Sequence, residues 1–140
     1  MSKQSLKLRP GIHEFSLQKI KKDYCFNSQR LALFQGLKDV VKNLKSAGVA
    51  DIYIDGSFVS DKELPNDIDG CWLPTPSLKT KKIDPVLLDF SNGRKKMKEK
   101  YGVDFFLANV IEGSSGEPFL EFFQTDRDGN RKGIIKIKLD

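Results

Sequence analysis

The chain predicts an α/β fold: a small mixed β-sheet with packed helices and a C-terminal β-hairpin. Three observations predict it. One long amphipathic helical pattern ends at a glycine, three short apolar runs are bounded by Gly or Pro, and two last runs flank Asp128-Gly129.

Taken in order, the first dozen residues read as irregular, with Pro10-Gly11 marking a turn, and residues 14–22 read as a short helix or an extended lead-in. Asn27-Ser28 supplies an N-cap for a helix to about Ala47, with Leu31, Phe34, Leu37, Val41 and Leu44 at helical spacing and Gly48 as its stop. Asp51–Asp55 is a short strand. Residues 58–66 form a loop in which Pro65 prevents a long helix. Asp67–Leu73 is a second strand, ended by Pro74 and Pro76. Asp84-Pro85 opens a helix that Ser91-Asn92-Gly93 interrupts before the basic stretch to Tyr101. Val103–Ile111 is a third strand, and residues 113–118 form a connection. The last strands cover about 119–125 and 133–139.

At 140 residues, with 39% hydrophobic and 31% charged side chains, the sequence predicts one globular domain over 1–140. No apolar stretch reaches membrane-spanning length and the N-terminus has no signal-like apolar region, so a cytoplasmic protein without a membrane partner is expected. Cys25 and Cys71 lack metal-ligand spacing, and with one histidine a zinc site is not expected. The net charge of +5 is concentrated in 79–100, where Lys81, Lys82, Arg94, Lys95, Lys96 and Lys98 are candidates for binding a polyanion. The plainer reading of that stretch is a solvated helix face.

Residues 54–70 carry the chemistry. Gly56-Ser57 follows a strand, where glycine lets an anion approach backbone N–H groups. Asp67 and Asp69 are two apart on the next strand and project from one face. Carboxylates held side by side repel unless a cation lies between them, and Mg2+ commonly takes one or two of them together with substrate phosphates. Lys62, in the intervening loop, is a candidate phosphate partner.

A hydrophobic strand, Gly56-Ser57, a gap and Asp67-x-Asp69 resemble the nucleotidyltransferase superfamily. Pro10-Gly11-Ile12-His13, Asp55-Gly56-Ser57-Phe58-Val59 with Asp61-Lys62, Phe122-Phe123-Gln124 and Lys132-Gly133-Ile134 extend the likeness to a small prokaryotic family of that fold and of this length. The resemblance implies a nucleotidyltransferase-type sheet and transfer of a nucleoside monophosphate from an NTP, with release of pyrophosphate. It implies that Gly56 and Ser57 hold the triphosphate and that Asp67 and Asp69 bind two Mg2+ ions. Asp104 would complete the metal site or act as base on the acceptor, an RNA (such as tRNA) or protein hydroxyl.

The sequence departs from that pattern where small members often carry an arginine after Gly-Ser and a serine before the first Asp; Phe58, Val59 and Asn66 stand there, and Asp55 replaces a commoner hydrophobic residue. A non-catalytic module binding nucleotide or nucleic acid, of the kind found in toxin–antitoxin or defence systems, is the competing expectation; a decayed site is a third.

Overall fold

The computed structural model describes residues 8–139. The long helix forms where its pattern places it. The Asn27 side chain accepts from the Arg30 N–H at 2.9 Å, capping a helix over Ser28–Ser46, and Gly48 at φ +95° turns the chain out of it. Leu33, Phe34, Leu37, Val40, Val41 and Leu44 are its buried stripe. Leu31, expected in that stripe, is 43% exposed, because the buried face also takes in Leu33 and Val40 and leaves Leu31 beyond its edge.

Two elements precede it. Residues 11–16, expected as irregular and lead-in chain, are a strand (β1, Gly11–Ser16), and Ser16 then caps α1 (Leu17–Tyr24). The long helix is α2. Then follow β2 (Ile52–Asp55), β3 (Ile68–Trp72), α3 (Lys95–Tyr101), β4 (Val103–Leu107), α4 (Phe119–Phe122) and β5 (Gly133–Lys138).

The strands form one mixed sheet in the order β1-β5-β2-β3-β4. β1 runs parallel to β5 and β3 parallel to β4, while β2 is antiparallel to both neighbours. Alternation along the strands divides the core. Ile52, Ile54, Ile68, Trp72, Val103, Phe105, Ile135 and Ile137 pack with the stripe of α2 and with Ile20 and Met97 of the other helices. Tyr53, Cys71, Ala108 and Ile134 form a smaller cluster with Phe106, Phe119, Leu120 and Phe123. Helices thus line one face, and the segment from Ala108 to Phe123 covers part of the other.

Three expectations are corrected. There is no C-terminal hairpin of two long strands: residues 119–122 are helical and β5 pairs with β1 and β2 instead. The spacing of Phe119, Leu120, Phe122 and Phe123 is helical, and Pro118 starts the turn, so packing of these rings overrides their β-propensity. The Asp128-Gly129 turn does form. The Asp126 carboxylate accepts from Asp128 and Asn130 N–H groups, but the flanking ladder is a single Thr125–Arg131 bridge. The helix expected from Asp84 is a 3-10 turn over Pro85–Leu88, and the third strand stops at Leu107.

Candidate functional site: a carboxylate cluster at the end of the sheet

Strand register builds the site. Asp55 is opposite Asp69 across β2/β3, and Asp69 is level with Asp104 across β3/β4. Asp67, just before β3, shares their face by the two-residue period. Asp67, Asp69 and Asp104 each present a carboxylate oxygen within 4.8 Å of the others, a grouping able to hold a metal ion. The three positions expected from sequence to act together are therefore brought together.

Gly56 belongs to the same corner. At φ +79°, a Cβ there would lie 2.0 Å from Asp69 Oδ2. The residue must be glycine both for its left-handed backbone and because the Asp69 carboxylate occupies the space a side chain would need. The chain then makes a 3-10 turn over Gly56–Phe58 that packs beside β3.

The electrostatics of the cluster are unfavourable by themselves. Burial, then Asp67, Asp104 and Asp55, push the Asp69 carboxyl up to about 7. Asp67 is raised by burial and by Asp104, against the pull of Lys98, Arg94 and Lys62. Asp55, 4% exposed, is raised by burial and held down by Lys132, whose Nζ lies 3.0 Å from it.

Asp104 has its own cations. Arg94 donates from Nε to Oδ1 at 2.7 Å and from an Nη to Oδ2 at 3.2 Å, and Lys98 Nζ is 3.5 Å away. The Arg94 guanidinium also lies 4.7 Å from the centre of the Phe106 ring, two residues along β4. Asn92, Gly93 and Arg94 are consecutively left-handed, with Arg94 at φ +60°. That conformation costs a non-glycine residue roughly 1 kcal/mol or more and directs Arg94 back onto the sheet.

Arg94 and Lys98, expected to bind a polyanion, are thus partners of the cluster. Lys95 pairs with Glu99 and Lys96 with Asp89. Lys81 and Lys82 sit apart, in a 3-10 turn over Thr80–Lys82 beside α2. Lys62 is exposed, and its charge reaches Asp67. His13 is on β1, where its Nε2 lies 2.7 Å from the Arg9 carbonyl. Trp72 and Phe105 are core.

Sequence reasoning missed the residue that shapes the loop. Arg30, 0% exposed in the first turn of α2, donates to the carbonyls of Tyr24, Ser57, Phe58, Ser60 and Lys62. Its guanidinium is flanked by the rings of Phe26 and Phe58. Where the sequence lacks an arginine after Gly-Ser, this one fastens the same turn from beneath. A cation at a helix N-terminus is disfavoured by the dipole, which was the only signal for it.

No curated protein and no solved structure matches the chain. A family model matches residues 2–138, nearly the whole length, and the chain belongs to that family, described as a family of unknown function (DUF6932).

Proposed function

We propose that the chain is a Mg2+-dependent nucleotidyltransferase that moves a nucleoside monophosphate from an NTP to an RNA or protein hydroxyl, releasing pyrophosphate. The observation that carries this reading is the convergence of Asp67, Asp69 and Asp104 within 4.8 Å, against the Gly56-Ser57 turn.

The donor set fits a hard divalent cation: it offers carboxylate oxygens only, and its central member is pushed up to about 7 by burial and then by its carboxylate neighbours. Asp67 and Asp69 would hold the metal, with Asp104 available once Arg94 withdraws. Bound there, Mg2+ supplies charge neutralisation for the phosphates and the departing pyrophosphate.

The chain's own groups do the rest. Gly56 lets the triphosphate approach the backbone, and Ser57 donates its N–H and hydroxyl to phosphate oxygens. Arg30 holds that turn in shape through its carbonyls. The acceptor oxygen attacks the α-phosphorus, the bond to the β-phosphate breaks, and an Asp104 oxygen takes the acceptor's proton.

Calorimetric titration with each of the four NTPs, with and without Mg2+, tests the reading. One NTP should bind only with Mg2+, and labelled donor should then transfer to cellular RNA or protein. Asp67→Asn or Asp69→Asn should cut transfer by more than about 100-fold, since even outer partners of a metal site typically cost 10–100-fold. A wild-type rate in either variant would sink the metal-site assignment. One observation favours the non-catalytic alternative, namely that Arg94 and Lys98 already neutralise Asp104. On that reading an NTP binds and is never turned over.

A further inference from the structure

In the resting protein Arg94 occupies a group that the proposed reaction needs. Its Nε and an Nη donate to the two oxygens of Asp104 at 2.7 and 3.2 Å, and Asp104 is one of the three carboxylates gathered within 4.8 Å. The guanidinium is therefore one carboxylate away from where a cation would be held, and the charges of Asp67 and Asp69 also act on it. The segment that delivers it, Asn92 to Arg94, is left-handed throughout, and a Cβ on Gly93 would meet nothing within 4 Å. Strain of that kind gathers at ligand clamps and switch regions. The open space at Gly93 leaves this segment room to shift.

We propose that Arg94 is a phosphate-binding residue: it holds Asp104 in the resting protein and moves its guanidinium to the triphosphate when a divalent cation brings an NTP to the cluster. The inference rests on the nucleotidyl-transfer reading and names a side chain that recognises its substrate.

Charge is the first argument. Arg94 and Lys98 already stand against Asp104. A divalent cation would raise the positive charge there to four, two on the metal and one on each side chain, against three carboxylates. A cation alone therefore enters against Arg94. A cation that carries a phosphate chain brings the anion that Arg94 can take in exchange for Asp104.

Chemistry then selects Arg94 over its neighbour. The guanidinium fork fits two phosphate oxygens as it fits two carboxylate oxygens, so its bonds are exchanged like for like. Lys98, a point charge inside α3, approaches Asp104 Oδ2 at 3.5 Å and has no such fork. The Phe106 ring, 4.7 Å from the guanidinium, supports the side chain independently of Asp104. The exchange also frees Asp104 for the proton of the acceptor at the moment the substrate is in place.

Calorimetry with two probes, Mn2+ alone and Mn2+ with inorganic tripolyphosphate, tests the inference without a choice of base. Arg94→Gln should bind Mn2+ alone about tenfold more tightly and Mn2+–tripolyphosphate about tenfold more weakly, so the coupling of cation to phosphate falls about 100-fold. Arg94→Lys keeps the charge without the fork and should recover part of the tripolyphosphate affinity, to within about threefold of wild type. Lys95→Gln, whose partner Glu99 is exposed, should match wild type within about twofold for both probes. The Arg94 Nε–H resonance should move when Mg2+–tripolyphosphate is added, which a brace for β4 would not do. Changes of the same sign for both probes, or none, would overturn the inference and leave the metal site standing. So would a wild-type protein that binds Mn2+ and gains nothing from tripolyphosphate. A wild-type protein that binds neither probe would overturn the nucleotidyl-transfer reading as well.

Discussion

Asp55, Asp69 and Asp104 lie level with one another on three adjacent strands, but they are not equivalent. The two on the flanks have cations of their own: Lys132 at 3.0 Å from Asp55, and Arg94 at 2.7 Å from Asp104. The central Asp69 has no ion pair among the described residues, and its carboxyl is pushed up to about 7. Flanking carboxylates satisfied from within are structural in the resting protein. A central one left without charge compensation is where an external cation gains most. On the proposed reading the difference makes Asp69, with Asp67 beside it, the place where a bound cation would gain most, and it gives each member of the row a distinct response to mutation.

The largest effect is expected on the Asp55 flank. Lys132→Met leaves a carboxylate that is 4% exposed without its cation, and breaking a pair of that kind costs about 3 kcal/mol. Urea unfolding at neutral pH measures it. The loss should shrink toward pH 5, because burial already favours protonated Asp55 and removing Lys132 favours it further. Replacing both partners, Asp55→Leu with Lys132→Met, should restore most of the stability. An unchanged urea midpoint in Lys132→Met would make the flanks no different from the centre.

The centre should respond in the opposite direction. The folded-state pKa of Asp69, about 7, lies above its ordinary value of 3.8, so the folded protein keeps a proton that the unfolded chain has lost. Wild type therefore loses stability as pH rises from about 4 to 7, in the absence of metal. Asp69→Asn cannot ionise. It should be more stable than wild type by about 2 kcal/mol or more at pH 8, by less than half of that at pH 5, and equal to it only near pH 3, in chelator-containing buffer. The same difference at both pH values would show that Asp69 is not the burdened member.

These contrasts mark what could be read in the sequence. Gly56-Ser57 and Asp67-x-Asp69 were legible because a turn and a two-residue alternation are local, and Asp104 because it opens an apolar run. The pairing of Asp55 with Lys132 was not, since it joins residues far apart in the chain at a corner shared by β2 and β5, and no local pattern encodes that neighbourhood. The same limit hid β1, which becomes a strand by lying parallel to β5, and Arg30, whose partners are loop carbonyls about thirty residues away. At 119–122 the failure was of another kind. Phe119, Leu120 and Phe122, with Phe123 just beyond, satisfied both a strand and a helical reading, and stacking of Phe106 on Phe119, at 4.1 Å between ring centres, decided between them.

The smallest effect, and the one that joins flank to centre, belongs to Arg94. Its side chain is 27% exposed, so the pair with Asp104 is partly screened and Arg94→Gln should cost only about 1 kcal/mol of stability in the absence of metal. Its effect on metal binding should have the opposite sign. The guanidinium holds both Asp104 oxygens and adds positive charge beside Asp67 and Asp69, so a divalent cation entering the cluster must work against it. Arg94→Gln should therefore bind Mn2+, titrated alone by calorimetry, about tenfold more tightly, equivalent to about 1.4 kcal/mol. If Arg94 instead only braces β4, its loss would loosen the cluster and weaken Mn2+ binding. Weaker binding would place Asp104 with the structural carboxylates, leaving Asp67 and Asp69 as the whole of the metal site.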